Sequence, residues 1–171
     1  MSLFLLGYRG SGKTTIGRLL ADRLWQTFID TDEMIVRRAG RSIAEIFAAS
    51  GEAAFRDLES DILREVLLLE DHVISLGGGA VLREENRRAL LASPHKRIYL
   101  RCDPEELHRR IHGDPGTAAN RPHLTPLGGG IEEVQAVLAQ REPIYRQVMT
   151  AELDVTHVSP QEACAYIVRL L

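Results

Sequence analysis

The sequence predicts an α/β fold, a parallel β-sheet covered by helices on both faces. Three observations carry the prediction. Short β-rich runs alternate with segments of helical periodicity, the order that joins parallel strands through crossover helices. A chain of 171 residues suits one hydrophobic core and is too short for two ordinary domains, so residues 1–171 are read as a single domain. The first apolar run passes through three glycines and a lysine into an amphipathic pattern, "LFLLGYRGSGKTTIG", as a strand, a phosphate-binding loop and a helix would.

The strands are expected at "LFLL" (3–6), "TFI" (27–29), "HVISL" (72–76), "RIYLR" (97–101) and "LDVT" (153–156). Between them lie apolar residues at helical spacing, such as Ile16, Leu19, Leu20 and Leu24. Asp103 followed by Pro104 and Glu106, and Ser159 followed by Pro160 and Glu162, read as an N-cap, a first-turn proline and a carboxylate reaching back. Residues 112–130, "HGDPGTAANRPHLTPLGGG", hold no convincing helix or strand. A segment of this length and composition inside a compact domain is expected to serve as a mobile lid, with Arg121 on it.

Composition excludes several classes. At 44% hydrophobic and 26% charged, no apolar run approaches the roughly 18 residues of a membrane span. The net charge of −3, with mixed signs, gives no basic field for nucleic acid. The N-terminus enters a strand with no basic region or cleavage site, so a cytoplasmic protein is expected. Cys102 and Cys164 show no Cys-x-x-Cys spacing and read as two buried thiols. His108 and His112 have metal-ligand spacing but no carboxylate motif beside them, and read as solvated helix-face residues. Trp25 reads as packing, in the core or on the surface.

"GYRGSGKT", Gly7 to Thr14, matches G-x-x-x-x-G-K-[ST]. The glycines let successive N–H groups turn inward on a polyanion, and the helix dipole adds to their field. Gly10, Ser11, Gly12, Lys13, Thr14 and Thr15 are therefore the candidate ATP site, with Lys13 reaching the β- and γ-phosphates and Thr14 ligating Mg²⁺. A GTP switch protein would add Asp-x-x-Gly and Asn-Lys-x-Asp, and neither string occurs. An ABC-type ATPase would need a signature loop and a longer chain. A small-molecule kinase remains.

The second strand ends in "FIDTDEM", at the sheet edge where open parallel sheets bind ligands. On an extended chain Asp30 and Asp32 would point the same way. One can serve Mg²⁺ and the other can take a proton from an acceptor hydroxyl. An Asx turn or cap for the next helix is the competing reading of these aspartates.

Together "GYRGSGKTT", "FIDTDEMI", "GRSIAEIFAASGEAAFRDLE", "ISLGGGAV", "NRPHL" and "REPIYRQV" resemble the shikimate kinases over nearly the whole chain. The resemblance implies a P-loop NTPase fold like that of the nucleoside-monophosphate kinases. Its five-stranded parallel sheet carries flanking helices, a substrate-binding helical region at about 31–60 and a lid at about 112–130. It implies transfer of the ATP γ-phosphate to the 3-hydroxyl of shikimate, with Mg²⁺ as cofactor; a monomer is expected, with neither nucleic acid nor membrane as partner. Asp32 would bind the substrate hydroxyls and act as base, and Asp30 would help hold Mg²⁺. Arg56 and Arg141 would grip the substrate carboxylate, Gly78 and Gly79 would let the ring lie against backbone, and Phe47 and Phe55 would form the aromatic wall. Arg121 would close over the phosphate in transfer.

Forked guanidinium groups suit a compact carboxylate in a way that lysine does not. Arg56 and Glu59, three apart on a helix, fit either a surface ion pair or an orienting contact for the ligand. The glycines at 128–130 read as a hinge. Two features depart from the family pattern. The stretch between Arg110 and Arg121 is long, and "DVTHVSP" stands where relatives place an arginine against adenine. His157 is then the candidate for stacking on adenine, with Arg110 on the other face. Kinases of the same fold acting on gluconate or a nucleoside monophosphate, and a nucleotide-binding regulator without chemistry, are the alternatives.

Overall fold

The computed structural model describes residues 1–113 and 128–171. Strands β1 (Leu3–Leu6), β2 (Thr27–Asp30), β3 (His72–Ser75), β4 (Lys96–Arg101) and β5 (Ala151–Asp154) form one sheet in the order β2-β3-β1-β4-β5, with every neighbouring pair parallel. Seven helices are described: α1 (Lys13–Leu24), α2 (Thr31–Ala39), α3 (Ile43–Val66), α4 (Glu84–Ala92), α5 (Pro104–Gly113), α6 (Ile131–Val148) and α7 (Pro160–Leu170). The lid reading and Arg121 fall largely or wholly on residues 114–127, outside the described residues.

β1 is apolar throughout because both its faces are covered. Leu3 and Leu5 enter a core with Ile16 and Leu20 of α1, Leu107 of α5 and Ile167 of α7. Phe4 and Leu6 enter a second core with Ile35 of α2, Ile62 and Leu63 of α3 and Leu90 of α4. Each such side chain, once buried, contributes about 1.5–3 kcal/mol. α6 belongs to both cores, through Val137 and Leu138 in the first and Tyr145 and Val148 in the second. Pro143 lies between the two halves, where it withholds a donor from the helix ladder. α3 is interrupted at Gly51, whose φ of 78° lies outside helical space.

The five expected strands are all present, but β5 spans Ala151–Asp154 rather than 153–156. Asp154 ends it, because its Oδ1 accepts from the Thr156 amide at 2.9 Å and hydroxyl at 2.6 Å, a turn that competes with the sheet ladder. The capping box at Ser159 and Glu162 is formed, and a second stands at Ser42 and Glu45. At α5 the Leu107 amide donates to the Asp103 carbonyl, but Glu106 holds Arg109 and Arg110 at 2.6–2.7 Å instead of reaching back. Cationic partners three and four residues on outcompete a neutral N–H, and they hold the Glu106 carboxyl down at about 2.

Trp25 closes α1 in the left-handed conformation and is 94% exposed, so it lies on the surface. Both cysteines are buried and free. The rings of His108 and His112 lie against each other at a tilt of 40°, with centroids 4.0 Å apart. Among the described residues no group of three or more potential metal-binding side chains forms. None of the described helices is long and apolar enough to cross a membrane.

Candidate active site

The loop from Gly7 to Gly12 joins β1 to α1 at the C-terminal edge of the sheet. Gly10 and Gly12 take φ values of 82° and 91°, a left-handed curl that side-chain-bearing residues resist. The curl turns the chain so that Gly12 caps α1. Lys13 is only 9% exposed, and its Nζ donates to the carbonyls of Gly7 at 2.8 Å and Tyr8 at 3.0 Å. Ser11 is buried and its amide donates to the Tyr8 carbonyl. A cavity of about 400 Å³ opens over the curl, lined by Gly10, Gly12, Lys13, Thr14 and Thr15 at one end and by Arg110, Val155, Val158 and Pro160 at the other.

Arg110 donates from Nε to Glu106 at 2.6 Å and from Nη2 to the Val155 carbonyl at 2.8 Å. Its guanidinium thus ties α5 to the segment after β5 and borders the cavity. His157, expected against adenine, is exposed, while its neighbours Val155 and Val158 supply the wall.

Asp30 and Asp32 both line this cavity, but not through strand alternation. Asp30 is the last residue of β2 and the N-cap of α2, so Asp32 stands in the first turn of a helix. Oδ1 of Asp30 accepts from the Asp32 amide at 3.0 Å, and Oδ2 accepts from the Thr14 hydroxyl, also at 3.0 Å. The capping reading of Asp30 is therefore met by one oxygen, while the other holds the Thr14 hydroxyl.

A second, smaller cavity adjoins the first, lined among others by Phe47, Phe55, Arg56, Glu59, Gly78, Gly79 and Arg141. Arg9 and Asp32 line both cavities. The rings of Phe47 and Phe55 lie 4.8 Å apart, and the Arg56 guanidinium stands 5.2 Å over Phe55. Arg56 is 8% and Glu59 3% exposed, and Arg56 Nη1 donates to Glu59 at 2.6 Å. The pair is a buried one, not a surface ornament. Glu52 accepts from Arg56 Nε and Nη2 at 3.3 and 3.2 Å. Burial pushes the Glu59 carboxyl up to about 7 against the pull of the Arg56 charge, with Asp32 raising it further.

The first glycine triplet packs against these side chains. A Cβ on Gly79 would lie 2.1 Å from Arg56 Nη1, and one on Gly77 2.6 Å from Asp32 Oδ1. So the triplet admits the protein's own charged groups, while Gly78 and Gly79 also face the cavity. One contributor escaped the sequence reading. The Tyr145 hydroxyl donates to the Gly78 carbonyl at 2.6 Å, fixing that backbone from α6. Its only sequence signal is its place one helical turn after Arg141.

The family model described as Shikimate kinase matches residues 9–171. The shikimate kinase of Rhodopirellula baltica is 42% identical over 98% of this chain and 88% of its own length. That of Streptococcus gordonii is 42% identical over the full length of both. Among solved structures, the shikimate kinase from Acinetobacter baumannii in complex with shikimate superposes with a TM-score of 0.91 at 31% identity, covering 99% of this chain and 91% of that one. A gluconokinase from Sinorhizobium meliloti, at a TM-score of 0.61 and 20% identity over 99% of this chain and 92% of its own, shares the fold. With a family match running from Arg9 to the last residue and relatives 42% identical over nearly the whole chain, the chain belongs to the shikimate kinase family.

Proposed function

We propose that this site transfers the γ-phosphoryl group of ATP to the 3-hydroxyl of shikimate with Asp32 as the base. The observation that carries the assignment is the position of Asp32, a carboxylate in the shared wall of the cradle cavity and the arginine-lined one. An alcohol seated in the second cavity meets there both a proton acceptor and the end of the polyphosphate. The alcohol oxygen forms a bond to the γ-phosphorus as the bond to the β,γ-bridging oxygen breaks. ADP keeps that electron pair, and the hydroxyl proton passes to Asp32.

Arg56 and Arg141, buried on α3 and α6, suit the substrate carboxylate, since guanidinium forks bind carboxylates bidentately. Lys13 serves the β- and γ-phosphates. Thr14 and Asp30 would hold magnesium. Their oxygens stand 3.0 Å apart, and adjacent ligands of an octahedral ion with bonds of about 2.1 Å lie about 3 Å apart. Such an ion, when bound, neutralises charge on the phosphates.

Purified protein with Mg²⁺-ATP should release ADP far faster with shikimate than without it. Gluconate and nucleoside monophosphates serve as competing acceptors. Equal rates with and without shikimate would remove the assignment, and tight ATP binding with no transfer to any acceptor would favour a regulator.

A further inference from the structure

The phosphoryl group has to cross from one cavity to the other, and among the described residues only Arg9 and Asp32 line both. Asp32 is an anion. A γ-phosphoryl group in transit carries negative charge on three equatorial oxygens, so a passage walled by a carboxylate alone would repel it. Arg9 supplies the opposite sign at the same boundary. The cradle motif does not require it, since position 9 is one of the unrestricted places in G-x-x-x-x-G-K-[ST].

The surroundings fix where this charge sits. Arg9 follows β1 by three residues and precedes Gly10, and the turn is closed by the Ser11 amide donating to the Tyr8 carbonyl at 3.2 Å. Its guanidinium lies 5.8 Å from the centre of the Tyr8 ring, and the Arg141 guanidinium lies 5.9 Å from the same ring. Tyr8 is 1% exposed, so both cations rest against an immobile aromatic surface. Lys13, by contrast, points its ammonium at the carbonyls of Gly7 and Tyr8, inside the curl.

We infer that Arg9 is a catalytic residue of the transfer step, contacting the equatorial oxygens of the γ-phosphoryl group as it passes to the acceptor oxygen opposite Asp32. The inference rests on the function proposed above. Arg9 forms and breaks no covalent bond, and it acts through charge that counts most when the phosphoryl group lies between donor and acceptor.

The test measures steady-state kinetics of the wild type, Arg9→Met and Arg9→Lys, with thermal melts to verify folding. It adds the affinities for ADP, for shikimate, and for the ternary mixture of ADP, shikimate and magnesium with aluminium fluoride, which mimics the phosphoryl group in transit. Arg9→Met should lose about 10²- to 10³-fold in kcat, with KM for ATP and shikimate within about threefold of wild type. The aluminium fluoride complex should weaken in step with kcat while ADP and shikimate bind as before. Arg9→Lys, which keeps the charge but not the fork, should recover part of the rate, and it carries the test if Arg9→Met does not fold. An active wild type with unchanged kcat in either folded variant overturns the role of Arg9 alone. A raised KM for shikimate at constant kcat also overturns it, by making Arg9 an acceptor ligand. A wild type without acceptor-dependent ADP release removes the function assignment and this inference with it.

Discussion

The cradle cavity and the arginine-lined cavity meet at Arg9 and Asp32, yet they are built by different means. The cradle is backbone, curled within the eight residues from Gly7 to Thr14. The second cavity is made mostly of side chains, gathered from the loop after β1, α2, α3 and α6, with the backbone of Gly78 and Gly79 beside them. Backbone N–H groups keep their polarity at any pH. Buried guanidinium groups need counter-charges, and Glu59 answers that need at the cost of a carboxyl raised to about 7. Recognition by side chains therefore brings a pH dependence that recognition by backbone avoids.

Four substitutions probe this division, in descending order of effect. Asp32→Asn, at the junction, should lower kcat by about 10²–10⁴-fold through loss of the base. A change confined to KM would move Asp32 wholly to the acceptor side. Arg141→Ala should raise KM for shikimate by about 10- to 100-fold, a loss of about 1.4–2.8 kcal/mol, and leave KM for ATP near its original value. Steady-state titration of both substrates reads the split, and equal effects on the two would erase the distinction.

Glu59→Gln tests the charge network. In the wild type, protonation of Glu59 as pH falls through about 7 weakens its hold on Arg56. KM for shikimate should rise several-fold from pH 8 to 6, and this slope should flatten in Glu59→Gln. Stability has the opposite dependence. Between about pH 4.5 and 7 the unfolded chain has released the proton that folded Glu59 retains, so this group costs stability as pH rises through the window. Glu59→Gln should accordingly gain on the wild type across that range in denaturant titrations, and a constant difference would contradict the raised pKa. Tyr145→Phe should have the smallest effect. Loss of one hydrogen bond to Gly78 is worth about 0.5–1.5 kcal/mol, so KM for shikimate should rise a few-fold while kcat changes little.

The sheet and the cradle were legible because their signals are local. An apolar run between glycines and helical spacing needs no distant partner to be understood. β5 slipped by two residues because Asp154 prefers its own turn to Thr156. Alternation along a strand placed Asp30 and Asp32 on one side, whereas the structure brings them there through the N-cap and first turn of α2. Spacing alone left Arg56 and Glu59 open, since a buried pair and a surface pair look alike three residues apart. Tyr145 stayed hidden because its hydroxyl acts on a carbonyl 67 residues away. His157 itself is exposed, and the apolar Val155 and Val158 beside it line the cavity.

Asp30 touches Thr14 with one carboxylate oxygen and the Asp32 amide with the other. The short side chain therefore sets the distance between Thr14, in the first turn of α1, and Asp32, in the first turn of α2. A glutamate there would keep the charge but change that distance. One residue thus couples the start of α1 to the cap of α2, and its two contacts cannot be altered separately.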